Sequence, residues 1–133
     1  MNIGSAAKAS GVSAKMIRYY EEIALLPAAK RTASGYRDYG QSDVHRLQFI
    51  HRARDLGFSV ERIRLLLQLW NDRKRPSREV KSIATAHIAE VEDQIRRMQG
   101  LLKTLRHLAD ACDGDGRPHC PILEDLAEQG RAH

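Results

Sequence analysis

The sequence predicts a mainly α-helical protein: a winged helix-turn-helix head with a small β-wing, then a long dimerisation helix and a short tail that carries two cysteines. Three observations support this fold class. Two short helical segments meet at Gly11, a stretch without helical periodicity covers residues 28–39, and an apolar stripe with heptad-like spacing begins at Pro76. These patterns divide the 133 residues into three parts: 1–75, 76–111 and 112–133.

The first twenty residues predict two short helices joined by a tight turn. Gly11 can adopt the positive φ that such a turn requires, and Ser13 is a suitable cap for a second helix beginning at Ala14. This order is typical of a helix-turn-helix.

Residues 28–39 lose helical periodicity after Leu26-Pro27 and predict a basic wing beside the second helix. Gly35 suits a hairpin turn, and the alternation of Tyr36, Arg37 and Tyr39 suits a short strand. An ordinary surface loop is the alternative.

A second pair of helices follows the wing. Helical periodicity returns near Ser42 and ends at Gly57, and Ser59 is a cap for the next helix. The apolar positions expected to face a core are Val44, Leu47, Phe49, Ile50 and Ala53 in the first helix, and Val60, Ile63, Leu66, Leu67 and Trp70 in the second.

One helical pattern then continues from Pro76 to about Ala111, with about five heptad-like repeats of apolar residues. Such a helix would be roughly 50 Å long, too long to fold back on so small a head. We therefore expect its seam to pack against a second copy in a homodimer. His87 and Gln94 fall in this seam, where polar residues usually fix the register.

Charge is distributed unevenly along the chain. Residues 1–75 hold 14 Lys and Arg against 7 Asp and Glu, whereas residues 76–133 hold 8 against 10. A basic head of this kind is typical of a nucleic-acid-binding module, with a solvated basic surface as the alternative. The residues predicted to bind DNA are Lys15, Arg18, Tyr19, Tyr20, Arg31, Tyr36 and Arg37.

Cys112 and Cys120 flank a short polar loop directly after the long helix. Two thiolates close in space form a soft-metal site, and a helix beginning at Pro121 would stabilise an anionic bis-thiolate complex. A disulfide is the alternative. The sequence has neither a signal peptide nor an apolar run of the ~20 residues that span a membrane. We therefore expect the protein to lie in the cytoplasm, a reducing environment in which paired thiols more often bind metal or sense redox state.

The sequence does not predict an enzyme. It has no Cys-x-x-Cys redox pair, no nucleophile with an evident base and no Gly-rich phosphate loop. The alternative from another class is a coiled-coil adaptor whose cysteines are incidental and whose basic head binds a protein. An adaptor would show no metal affinity and no salt-dependent binding to DNA.

Several linked motifs resemble the MerR family of transcription regulators in order and spacing, over essentially the whole chain. They read Arg18-Tyr19-Tyr20-Glu21, Leu25-Leu26-Pro27, Gly35-Tyr36-Arg37-Asp38-Tyr39 and Arg54-Asp55-Leu56-Gly57-Phe58-Ser59. The tail, from Ala111-Cys112 to Cys120-Pro121-Ile122-Leu123, resembles the copper-efflux branch of the family, the CueR/HmrR type.

The resemblance implies a homodimeric activator with an antiparallel pair of long helices and a metal-binding loop at the dimer interface. Such regulators bind promoters whose two recognition elements are spaced too far apart for RNA polymerase. When metal binds, they bend and untwist the DNA so that both elements can be read. Deforming DNA costs a few kcal/mol, which a dimer can supply through added phosphate contacts.

The expected effector is one monovalent coinage-metal ion per site, Cu(I) or else Ag(I) or Au(I), held by Cys112 and Cys120. Ser77 lies 35 residues before Cys112, in the same phase of the long helix but at its other end, so only an antiparallel partner would bring them together. In the divalent-metal branches of the family a cysteine at this place is a ligand.

A serine hydroxyl stays protonated near neutral pH, so the site would offer two thiolates, which suits linear Cu(I) better than four-coordinate Zn(II). Ser77 is thus the predicted determinant of metal selectivity. A redox or divalent-metal sensor of the same family is the alternative. His119 is a rival ligand, although we expect it to be a solvated loop residue.

Ala24 departs from the family, which usually has glycine at this place. Glycine there would serve a helix that ends in the left-handed region. Alanine at positive φ costs on the order of 1 kcal/mol.

Overall fold

The computed structural model describes residues 1–112, 114–116 and 118–131. The helices are α1 (Ile3–Ser10), α2 (Ala14–Glu22), α3 (Gln41–Asp55), α4 (Val60–Asn71), α5 (Ser77–Ala111) and α6 (Pro121–Arg131), and the strands are β1 (Lys30–Arg31) and β2 (Arg37–Asp38). The predicted mainly α-helical class, the helix-turn-helix and the wing are confirmed. Residues 113, 117, 132 and 133 of the predicted tail lie outside the described residues.

The chain forms two compact units, of which the first covers Met1–Ile83 and the second begins at Ala84. The division at residues 75 and 111 that the sequence suggested stays a prediction. Every helix in the described part of the chain is too short or too polar to cross a membrane.

Side-chain caps and a glycine define the first two helices. The Asn2 side chain accepts a hydrogen bond from the N–H of Ser5 at 2.8 Å and caps α1, which ends at Gly11 with φ 78°. Ser13 caps α2 by accepting from the N–H of Met16 at 3.2 Å. Helix α1 packs on both α2 and α3, and Lys15, Arg18 and Tyr19 of α2 are exposed at the surface of the head.

The wing is a two-stranded antiparallel sheet. Lys30 lies opposite Asp38 and Arg31 lies opposite Arg37. Gly35 turns the chain between the strands with φ 86°, and its carbonyl accepts a hydrogen bond from Arg31 Nη1 at 2.8 Å. The predicted hairpin is therefore present, and the surface-loop alternative is wrong.

The core of the head draws on all its helices and on the end of the wing. Its buried members are Ala6, Val12, Ile17, Tyr20, Leu25, Leu26, Tyr39, Leu47, Ile50, Ala53, Ile63 and Leu67. The prediction that Trp70 faces the core is wrong, because 43% of this residue is exposed. Trp70 lies next to the end of α4 and stacks one ring face on Phe49, with ring centroids 4.5 Å apart.

Helix α2, the second helix of the helix-turn-helix, ends in a Schellman motif. The N–H of Leu25 donates to the carbonyl of Tyr20 at 2.9 Å, and the N–H of Ala24 donates to the carbonyl of Glu21 at 3.1 Å. Ala24 has φ 58°, the one positive φ outside glycine in the described ranges. Alanine thus adopts the left-handed conformation at the place where the sequence departs from the family that it resembles.

The end of α3 repeats this motif with glycine. The N–H of Phe58 donates to the carbonyl of Ala53 at 3.1 Å, and the N–H of Gly57 donates to the carbonyl of Arg54 at 2.9 Å. Gly57 has φ 86°. The head therefore holds two copies of one capping motif that differ in the residue at the left-handed position, Gly57 or Ala24.

The long helix α5 has 35 residues and none of them is buried. Its apolar side chains form what we name the α5 stripe: Ile88, Ile95, Met98, Leu101, Leu102 and Leu105. These residues are between 46% and 65% exposed. A contiguous apolar surface of this kind marks an interaction site in most soluble proteins.

Candidate DNA interface and candidate metal centre

Four of the residues predicted to bind DNA line one cavity in the head. We name it the arginine cavity. It is enclosed by three parts of the head, namely the start of α1, helix α2 and the wing, and its lining includes Arg18, Arg31, Tyr36 and Arg37. A guanidinium presents N–H donors in a planar fork that matches phosphate oxygens. Three such groups surround one opening, and within the described residues those of Arg18 and Arg31 have no carboxylate partner, so they can supply charge and donors to a DNA phosphate.

Arg37 is held in place by α2, the recognition-helix candidate. Its Nε donates to Glu21 Oε2 at 3.2 Å, and the Glu21 side chain is only 11% exposed. The hydroxyl of Tyr39 donates to the other carboxylate oxygen of Glu21. Burial, together with this hydrogen bond to a carboxylate, raises the pKa of Tyr39 well above its usual range. Glu21 therefore joins α2 to two residues at the end of the wing.

The sequence analysis did not predict that Glu21 joins α2 to the wing, although one signal pointed to a partner for this carboxylate. A carboxylate in the last turn of a helix lies near the negative end of the helix dipole, which is unfavourable unless a partner compensates. Glu21 occupies the last turn of α2. Its partners, Arg37 and Tyr39, follow it in the chain by 16 and 18 positions. Helical periodicity contains no information about contacts at this separation.

The other predicted contacts on α2 divide into two groups. Lys15, Arg18 and Tyr19 are exposed. Tyr20 is only 5% exposed and belongs to the core with Ile17, three residues earlier on the same helix face. The structure places the Tyr20 ring in the core, so we leave this residue out of the proposed interface.

The two cysteines lie at the ends of two helices. Cys112 directly follows α5, and its N–H donates to the carbonyl of Ala109 at 3.2 Å. Cys120 directly precedes α6, and its carbonyl accepts from the N–H of Glu124 at 3.1 Å. Both are free thiols that are half-buried. The predicted helix start at Pro121 is confirmed, so Cys120 adjoins the positive end of a helix.

His119 and Ser77 are the remaining residues considered for the metal centre. The Nδ1 atom of His119 lies 3.2 Å from Glu124 Oε1, and both side chains are 66% exposed. Ser77 is exposed and is the first residue of α5, whereas Cys112 follows the last. Among the residues that the structure describes, no group of three or more His, Cys, Asp or Glu could hold a metal ion.

Comparison with known proteins gives consistent matches. The families described as "MerR HTH family regulatory protein" and "MerR, DNA binding" match residues 1–70 and 44–108. The HTH-type transcriptional regulator HmrR of Sinorhizobium medicae (strain WSM419) is 61% identical over 132 residues, 99% of this chain and 90% of the relative. The regulator CueR of Escherichia coli O6:H1 is 39% identical over 127 residues, 96% of this chain and 94% of that protein.

A solved structure is also similar. The transcription regulator PbrR691 from Ralstonia metallidurans CH34, in complex with lead(II), superimposes with a TM-score of 0.81 at 32% identity, and the match covers 95% of this chain and 98% of that one. The fold and these matches define a helix-turn-helix transcription regulator and not an enzyme. The chain belongs to the MerR family, which confirms the resemblance read from its motifs.

Proposed function

We propose that this protein is a metal-responsive activator that binds promoter DNA as a homodimer and responds to Cu(I), or to Ag(I) or Au(I). Metal held by Cys112 and Cys120 makes the dimer distort the promoter, so that RNA polymerase can transcribe genes for copper efflux or detoxification. The observation that carries the proposal is the pair of half-buried free thiols between α5 and α6, in a chain that has serine at the start of α5.

The DNA-binding part of the proposal is supported by the arginine cavity and by the exposed face of α2. Arg18 belongs to both, since it lines the cavity and lies on the exposed face with Lys15 and Tyr19. In this arrangement α2 enters the major groove while Arg31 and Arg37 of the wing contact the DNA backbone. Because the promoter lies inside the cell, the proposal also keeps the cytoplasmic location expected from the sequence.

The α5 stripe supports the homodimer. Its six apolar residues are about half exposed in a single chain, and pairing with a second copy would remove them from water. An antiparallel arrangement would bring Ser77 of one chain to the cysteine loop of the other. The midpoint between Ser77 and Cys112 then falls near Gln94, a polar residue that can fix the register.

The donor set supports the choice of metal. Thiolates are soft ligands, and two of them with a neutral hydroxyl suit a monovalent coinage metal. When bound, the ion would link both ends of the loop between Cys112 and Cys120. The N–H groups at the start of α6 would favour the negative charge of the resulting complex. A divalent sensor is the second candidate, because the similar PbrR691 structure is a complex with lead(II).

Metal titration of the reduced protein, followed by X-ray absorption, tests the proposal. We expect one Cu(I) per site with two sulfur neighbours. Cys112→Ser and Cys120→Ser should each abolish metal-dependent transcription in vitro while operator binding persists, because both residues are remote in sequence from the DNA-binding head. Tetrahedral zinc bound through Cys112 and Cys120, in preference to Cu(I), would contradict the choice of metal.

A further inference from the structure

Arginine side chains hold the turn that ends α2. Arg64 donates through Nη2 to the carbonyl of Ile23 at 2.8 Å and through Nη1 to the carbonyl of Ala24 at 3.3 Å. Arg46 donates through Nε to the carbonyl of Leu25 at 2.9 Å. Three consecutive carbonyls thus accept hydrogen bonds from side chains of α3 and α4, which lie 21 to 41 residues further along the chain.

These contacts are favourable for electrostatic reasons. Ile23 is the C-cap of α2, and a carbonyl at this position lacks an intrahelical partner and carries partial negative charge. A guanidinium supplies positive charge, and its two Nη groups reach two neighbouring oxygens at once. The hydrogen bond from Arg64 to the carbonyl of Ile23 is partly buried, so it is less screened by water than a fully exposed one.

Arg64 also connects α4 to the end of α2, two helices that are not among the most extensively packed pairs of the head. The most extensive helix contacts of the head are those of α1 with α2, α1 with α3 and α3 with α4. Along these contacts, α4 is linked to α2 only through two intermediate helices. The side chain of Arg64, in contrast, extends from α4 to the end of α2. In sequence, α4 is the last helix before α5 and the cysteine loop.

We propose that Arg64 is a positioning residue for DNA binding, which fixes the end of the recognition helix to α4 and holds Ala24 in its left-handed conformation. The inference rests on the proposed function, in which α2 is the recognition helix. A displacement of α4 is then transmitted to α2 through the two carbonyls. Without Arg64, the turn at Ala24 can relax towards negative φ, and the end of α2 loses its fixed orientation.

The test compares operator affinities. The probe is a DNA duplex that the wild-type protein selects from a pool of random sequences. Stoichiometric titration gives the active fraction of each protein. All measurements are made at a temperature at which circular dichroism shows each variant to be folded. Arg64→Met keeps the side-chain length but removes the donors. We expect it to weaken binding roughly tenfold, as for the loss of a hydrogen bond to a charged group. Arg64→Lys should recover part of this loss.

Two further measurements separate positioning from a direct contact. For Arg64→Met, the slope of log affinity against log salt concentration should equal that of the wild type. The loss of a phosphate contact would change this slope by about 0.9, and a positioning residue makes no phosphate contact. Arg73→Met, which removes the same charge from an exposed residue in the turn after α4, should bind within about twofold of the wild type.

Ala24→Gly provides the rescue experiment. Glycine adopts the left-handed conformation without strain. In an Ala24→Gly background, Arg64→Met should therefore weaken operator binding only about threefold. An equal loss in both backgrounds, or a reduced salt slope, would overturn the inference. If the wild type selects no sequence from the random pool, the proposed function itself fails. If the wild type binds but Arg64→Met binds equally well, only the inference fails.

Discussion

The substitution Ala24→Gly should make the protein more stable, although it places glycine at the end of a helix and removes a methyl group. Ala24 has φ 58° in a Schellman motif whose two hydrogen bonds are formed by backbone atoms that glycine retains. A left-handed conformation costs alanine about 1 to 2 kcal/mol. Glycine avoids this cost, but it gains about 0.4 to 1 kcal/mol of conformational freedom in the unfolded chain. The difference between the midpoints of these two ranges is a stabilisation of about 0.8 kcal/mol.

Urea denaturation of the full-length protein measures this change, as an increase in the midpoint at constant slope. Two matched variants serve as controls. Gly57→Ala introduces alanine into the same motif at φ 86° and should destabilise the protein by about 1 kcal/mol or more. Ala9→Gly, in the exposed part of α1, should destabilise it by about 0.5 to 1 kcal/mol. If Ala24→Gly lowered the midpoint as Ala9→Gly does, the left-handed conformation of Ala24 would be refuted.

Three other predictions concern the interface, the metal site and the link between the wing and α2. Arg18→Ala should weaken operator binding and reduce the slope of log affinity against log salt concentration by about 0.9. Fluorescence anisotropy at several salt concentrations measures this slope, and an unchanged slope would exclude a phosphate contact. Ser77→Cys should broaden induction towards divalent ions, measured by in vitro transcription with Zn(II) and Cu(I); a response to Cu(I) alone would remove Ser77 as a selectivity residue. The pKa of Tyr39 is raised in the folded state, so the folded protein keeps the phenolic proton at a pH where the unfolded chain loses it. The hydrogen bond of the protonated phenol therefore stabilises the fold fully below about pH 10, and this stabilisation is lost as the pH rises further. Tyr39→Phe should reduce the decrease in the denaturation midpoint between about pH 8.5 and 10.5, and an equal decrease in both proteins would contradict this.

The elements of the head could be predicted from the sequence because their signals are local. Ser13 and Ser59 cap the helices that they were expected to cap. Gly11, Gly35 and Gly57 each have the positive φ that a turn or helix end requires at their positions. A cap or a turn depends on residues within about four positions of one another, so a short stretch of sequence contains the information. The bounds of α5 followed from heptad spacing for the same reason.

The residues that the sequence analysis missed or misplaced depend on contacts between distant segments. Tyr19 and Tyr20 are adjacent tyrosines, yet the core of the head includes the ring of Tyr20 and leaves that of Tyr19 exposed. Trp70 fits the apolar pattern of α4 but lies where the core ends.

The sequence by itself determined the fold class, the family and the presence of a cysteine pair next to a helix start, since these follow from local periodicity, caps and motif order. Only the tertiary structure decided that Glu21 joins α2 to the wing and that Arg64 holds the end of α2. The hydrogen bonds concerned join residues that lie 16 to 41 positions apart. Contacts at such separations depend on how the helices pack together, which no local pattern of residues encodes.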